Sequence, residues 1–112
     1  LTLEIHLVNV QPALSHDISR FASHDQIVLF HRDESEKQLQ GACQLLDAAG
    51  ARYIRHCEVG HPAEVITALA ERLVCDQIVM GTHGRTALVE LLVGSITLKV
   101  LHLATVPVLL VK

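Results

Sequence analysis

A chain of 112 residues has the length of one domain. Its net charge of −3 argues against the basic surface that binding to duplex nucleic acid requires. Hydrophobic residues make up 50% and aromatic residues only 3%, which excludes a disordered chain and indicates a well-buried aliphatic core. No apolar run approaches the roughly 20 residues that span a bilayer, and no signal peptide is recognisable. We therefore expect a cytoplasmic protein that binds neither membrane nor nucleic acid, whose 3 cysteines stay reduced.

The first half of the chain predicts a strand, a long helix and a second strand. Residues 1–10 alternate apolar and polar side chains, as residues of a strand do. Residues 25–49 have helical spacing, with Leu29 and Phe30 on the predicted apolar face. Residues 51–59 alternate again, so a strand follows the helix.

The second half continues the alternation. Pro62 suits the first position of a helix, and residues 63–73 carry apolar side chains at helical spacing. A strand over residues 77–80, a helix over 95–103 and a strand over 107–111 complete the order. Strands alternating with helices predict an α/β fold in which right-handed crossovers build a mostly parallel sheet.

One strand-to-helix connection contains half of the glycines. The segment GTHGRTALVELLVGS, residues 81–95, has 3 of the 6 glycines in the spacing G-x2-G-x9-G. Ser95 is the expected N-cap of the next helix. The free N–H groups and the dipole at that helix start favour binding of a phosphate, and the Arg85 side chain could pair with the phosphate charge. His83 could contact either the ligand or the backbone. The alternative is that the glycines only shape turns, since the segment is neither a Walker A loop nor G-x-G-x-x-G.

The chain resembles the universal stress protein family over essentially its whole length. The similarity lies in G-x2-G-x9-G-S after DQIVM, the opening LTLEIHLVNVQP, GHPAEVI, and the final ATVPVLLVK. The resemblance implies a three-layer, flavodoxin-like α/β sandwich, similar to adenine nucleotide alpha hydrolases, with five parallel strands ordered 3-2-1-4-5. It also implies a homodimer formed through the last strand, here residues 107–111.

The glycine motif marks the ATP-binding branch of that family, so the resemblance implies ATP as the ligand, alone or with magnesium. The residues that it places around the nucleotide are Val10, Met80, Gly81, Gly84, Gly94, Ser95 and Ile96. In this assignment Val10 and Met80 border the base, and the others lie along the ribose and phosphates.

The chain departs from the family at its start. Members begin with a strand ending in an Asp that contacts adenine, and nothing in residues 1–112 matches that segment. We therefore expect four strands in a single, N-terminally incomplete domain, with the first and third strands lacking the central strand between them.

Two functions remain open at this stage. The first is an ATP-binding regulatory domain of the stress response, with at most slow ATP hydrolysis because no general base is evident near the phosphates. The second is a nucleotide-free scaffold for dimerisation or protein interaction. The 8 histidines lack the paired spacing of a zinc site, so we expect surface or hydrogen-bonded roles for them.

Overall fold

The computed structural model describes residues 3–82 and 93–112. Their elements follow the predicted alternation, with one additional short helix near the start. In chain order they are β1 (Ile5–Gln11), α1 (His16–Ser19), α2 (His24–Ala48), β2 (Tyr53–Val59), α3 (Pro62–Arg72), β3 (Ile78–Gly81), α4 (Ser95–Leu103) and β4 (Val108–Val111). The fold is α/β with parallel strands, as predicted.

The strands form two parallel pairs. β1 pairs with β2, from Ile5 opposite Tyr53 to the end of both strands. β3 pairs with β4, from Ile78 opposite Val108 onward. Within the described residues β1 and β3 belong to different sheets. The chain correspondingly divides into two compact units, residues 1–61 and 62–112.

In the first unit, α2 packs against the β1–β2 sheet. The helix begins with a capping box, because Ser23 Oγ accepts from the Gln26 amide and the Gln26 side chain accepts from the Ser23 amide. Ser35 is 1% exposed and donates from Oγ to Asn9 Oδ1 at 2.9 Å. This bond ties the middle of the helix to β1.

The predicted apolar face of α2 is wrong at its N-terminal end. Leu29 is 53% and Phe30 46% exposed. The buried residues of this helix are instead His31, Ser35 and Leu39, which are four residues apart and lie on one face. Two of these three are polar, so apolar periodicity could not reveal which face is covered.

In the second unit, α3 and α4 contact each other and pack on one face of the β3–β4 sheet. The centre of this core is Val100, whose exposure is 0%. Ala63, Ala70 and Ile78 complete the buried cluster, and Cys75 packs partly buried against it. The small alanines let the helices approach closely, as an aliphatic core with few aromatic residues requires.

Candidate functional site

Two hydrogen bonds join the carboxyl end of β3 to the start of α4, and a third joins it to β4. Thr82 donates its amide to the Val111 carbonyl at 2.9 Å, which extends the β3–β4 pairing by one residue. The Thr82 carbonyl accepts from the Gly94 amide at 2.7 Å. Thr97 Oγ1 donates to the Gly81 carbonyl at 3.0 Å, and Thr97 is 2% exposed. The N-terminus of α4 is therefore fixed beside the end of the strand.

The start of α4 is the positive end of the helix dipole. Its N-cap is Gly94, which makes no side-chain capping bond, and no acidic residue lies in its first turn. The other three helices within residues 3–82 and 93–112 each have one such residue, namely Asp17, Asp25 and Glu64. The first N–H groups of a helix are donors without intrahelical partners. This helix start can therefore accept an anion.

Ser95 differs from its predicted role as N-cap. It is the first residue of α4, and Gly94 holds the cap position with extended backbone angles of φ −62° and ψ 154°. A glycine cap supplies no oxygen to the helix, so the first-turn N–H groups stay free of a side-chain cap. Ser95 is exposed at this end, with its hydroxyl available for another partner.

The structure brings five of the eight predicted site residues together. Met80 and Gly81 end β3, with Met80 half-buried against the core, and Gly94, Ser95 and Ile96 begin α4. Ile96 is 42% exposed. Val10 lies in the first unit, in β1 opposite Glu58. Gly84 and Arg85 lie outside the described residues, as does His83.

Sequence reasoning missed Thr97, which links the strand to the helix. A threonine three residues after a glycine cap is a signal that could have suggested it, because that position lies in the first turn, close to the preceding strand. Its spacing to Val100 places both on one helix face. Thr97 holds Gly81 and therefore the geometry of the helix start.

Two of the described histidines, His6 and His56, are hydrogen-bonded, which is one of the two roles expected for the histidines. His6 Nδ1 lies 2.9 Å from His56 Nε2, and His6 Nε2 lies 3.1 Å from Glu4 Oε1. No group of three or more metal-ligating side chains is found in residues 3–82 and 93–112. No helix there is both long and apolar enough to cross a bilayer.

Parallel strands, alternating helices and a long connection from β3 into a helix N-terminus define an α/β protein of the flavodoxin-like class. The chain belongs to the universal stress protein family, whose sequence pattern matches residues 2–112.

Individual relatives support the same assignment. Universal stress protein MJ0577 of Methanocaldococcus jannaschii is 36% identical over 80 residues, which are 71% of this chain and 49% of that protein. Universal stress protein MJ0531 of the same organism is 32% identical over 108 residues, 96% of this chain and 62% of that protein. The chain thus spans less than two thirds of the length of these curated relatives.

Solved structures show the same fold. A structure of MJ0577 superposes with a TM-score of 0.81 at 29% identity, covering 100% of this chain and 77% of that one. The universal stress protein of Archaeoglobus fulgidus superposes with a TM-score of 0.70 at 21% identity, covering 98% and 72%. The second likeness concerns the fold alone.

Proposed function

We propose that this protein is an ATP-binding regulatory domain of the stress response, in which the connection from β3 to α4 holds the phosphates. The observation that carries the proposal is the start of α4, which has a glycine cap and no acidic residue in its first turn. Backbone N–H groups there would bind phosphate oxygens, with the Ser95 hydroxyl as a further donor. Gly84 and Arg85 complete the proposed phosphate loop.

In this proposal the base lies near Met80, and the protein acts in the cytoplasm. Magnesium, where it accompanies ATP, would be held mainly by phosphate oxygens, since no cluster of metal-ligating side chains occurs in the described part of the chain. Regulation would come from a nucleotide-dependent change of surface or partners. Any hydrolysis would be slow, because nothing in the described part of this connection resembles a general base.

The test is a calorimetric titration of the 112-residue chain with ATP and magnesium. We expect saturable binding by the natural sequence and none by the double variant Gly84→Val, Gly94→Val, because the added side chains would occupy the space of the phosphates. Gly41→Val is the matched control, since Gly41 lies in α2 with no atom within 4 Å of an added Cβ. Equal affinity in the double variant and the control would disprove the loop assignment.

A second candidate function is a dimerisation scaffold, and one observation favours it. On the face of the β3–β4 sheet that α3 and α4 leave open, Val79 is 57%, Leu109 53% and Val111 50% exposed. β4 also has no strand on its second edge within the described residues. An apolar face beside an open strand edge suits pairing with a second copy of the chain through residues 107–111. Such a dimer is compatible with nucleotide binding and would also exist without it.

A further inference from the structure

A groove of about 420 Å³ lies within the first unit, between α2 and β2. It belongs to residues 1–61 and shares no residue with the connection from β3 to α4. The helix contributes Val28, His31, Arg32, Ser35, Glu36 and Leu39, and the strand contributes Arg55, Cys57, Glu58 and Val59. Apolar side chains therefore form part of the wall, and charged side chains lie on both sides of the opening.

One buried atom in this groove has no partner. His31 is 8% exposed, and its Nδ1 atom is buried without a hydrogen bond. A buried polar atom left unsatisfied loses its bonds to water without replacement, so structures rarely retain one without a ligand or a functional reason. Ser35, one turn along the same face, already uses its hydroxyl proton on Asn9. His31 therefore lines the groove with one hydrogen-bonding atom that no described residue satisfies.

Two cationic side chains also line the groove. Arg32 and Arg55 line the groove from helix and strand, and neither has a hydrogen bond or ion pair to any residue in the chain's described ranges. Guanidinium groups without carboxylate partners match carboxylate and phosphate oxygens in geometry as well as in charge. Glu36 and Glu58 also line the groove, so its two arginines face two carboxylates, of which Glu58 already has a partner.

We propose that the α2–β2 groove is a second ligand site, which binds a small anion carrying a carboxylate or phosphate group. Arg32 on α2 and Arg55 on β2 would contact the anion from the two sides of the groove. His31 would donate a hydrogen bond to the anion from Nδ1. The site is separate from the proposed nucleotide site and does not depend on it. The carboxylate of Glu36 would oppose the anion and limit its affinity.

Long-range nitrogen–proton NMR spectra of the His31 ring test this proposal in the full chain. We would titrate inorganic phosphate, and separately acetate, at fixed pH and constant ionic strength, with His31→Gln to assign the ring signals. We expect a saturable shift of Nδ1, with phosphate binding more tightly than acetate if two charges are engaged. Tighter acetate binding would instead identify a carboxylate ligand.

Variants that remove one charge each test which side chains bind the anion. Arg32→Gln and Arg55→Gln should each weaken binding by about five- to tenfold, whereas the exposed Arg52→Gln, outside the groove, should change it little. Glu36→Gln should strengthen binding by removing a repulsive charge. The proposal is overturned if the shift never saturates, if the Arg52 variant behaves like the other two, or if Glu36→Gln weakens binding, which would indicate a zwitterionic ligand.

Discussion

Thr97 and Gly81 are joined by a hydrogen bond of 3.0 Å from Oγ1 to the backbone carbonyl, although 16 positions separate them in the chain. The bond closes the connection between β3 and α4 and orients the helix start toward the end of the strand. Among the described residues, the hydroxyl has one other hydrogen-bond acceptor within reach. This is the Thr82 carbonyl, at the longer distance of 3.5 Å. The geometry of the proposed phosphate site thus depends on this buried side chain as well as on the bond from the Gly94 amide to the Thr82 carbonyl.

Thr97→Val should lower the free energy of unfolding by about 1–2 kcal/mol, because it keeps the shape of the side chain but removes the donor to the buried carbonyl. Urea denaturation measures this loss. Thr105→Val is the matched control, since Thr105 is exposed and its bond to Glu71 is long, at 3.4 Å. A loss no larger than in this control would mean that the Thr97 bond contributes nothing.

Val74 lies at the end of α3 in a left-handed conformation, with φ of 54°. The amide of Cys75 donates to the Ala70 carbonyl at 2.9 Å, as in helices that end in a left-handed residue. At the corresponding position after α2 the chain has Gly50, with φ of 68°. A β-branched residue is strained in this conformation, whereas glycine is not.

Val74→Gly should therefore raise the free energy of unfolding by about 1 kcal/mol, by relieving that strain. Val74 is 83% exposed, so little buried contact is lost. Val74→Ala keeps the Cβ atom and should gain less. Thermal unfolding of the three proteins gives the order, and a Gly variant less stable than the natural sequence would contradict the prediction.

Tyr53 donates from its hydroxyl to Asp47 Oδ1 at 2.8 Å, which links β2 to the end of α2. The hydrogen bond to Asp47 and then that to Cys43 raise the pKa of Tyr53 well above its ordinary value of 10.0. Because the protonated phenol is favoured in the folded chain, its contribution to stability is present below pH 10 and is lost as the pH rises through the folded-state pKa.

Phenolate absorbance measures this titration directly, because Tyr53 is the chain's 1 tyrosine. We expect the Tyr53 phenol of the natural protein to ionise only at a pH well above the ordinary tyrosine pKa of 10.0. In Asp47→Ala the midpoint of this titration should lie closer to that ordinary value. Equal midpoints in the two proteins would show that Asp47 does not hold the proton.

Leu109→Lys should convert the proposed dimer to a monomer, since it places a charge on the open apolar face of β4. Sedimentation equilibrium measures the mass of both proteins. Leu101→Lys, on α4, is the control because Leu101 is also exposed, at 43%, but lies on another element. An unchanged mass for Leu109→Lys, or equal losses of mass in both variants, would argue against pairing through residues 107–111.

Local patterns predicted the element order closely. The helix over 95–103 has the predicted bounds, and the predicted strand over 77–80 is shifted by one residue to Ile78–Gly81. Pro62 begins α3, and Gly50 follows α2 in a left-handed conformation, as their residue types suggest. Each of these features depends on residues within one or two turns, so the sequence contains the relevant information.

Features that depend on distant residues were not predicted. Leu29 and Phe30 have the spacing of buried residues but are exposed, whereas His31 is buried. Periodicity finds a candidate face, but only the packing of α2 on the β1–β2 sheet selects the covered one. The groove between α2 and β2 was missed for the same reason, since Arg32 and Arg55 are 23 positions apart.

The sequence by itself determined the α/β class, the family and the loop that we propose to bind phosphate, because glycine spacing and hydrophobic periodicity are local properties. Only the tertiary structure decided that Gly94 caps α4, that Thr97 holds Gly81, and that His31 is buried without a partner. These outcomes depend on which backbone and side-chain groups meet across elements. Hydrogen bonds and burial between such groups have no periodic signature along the chain.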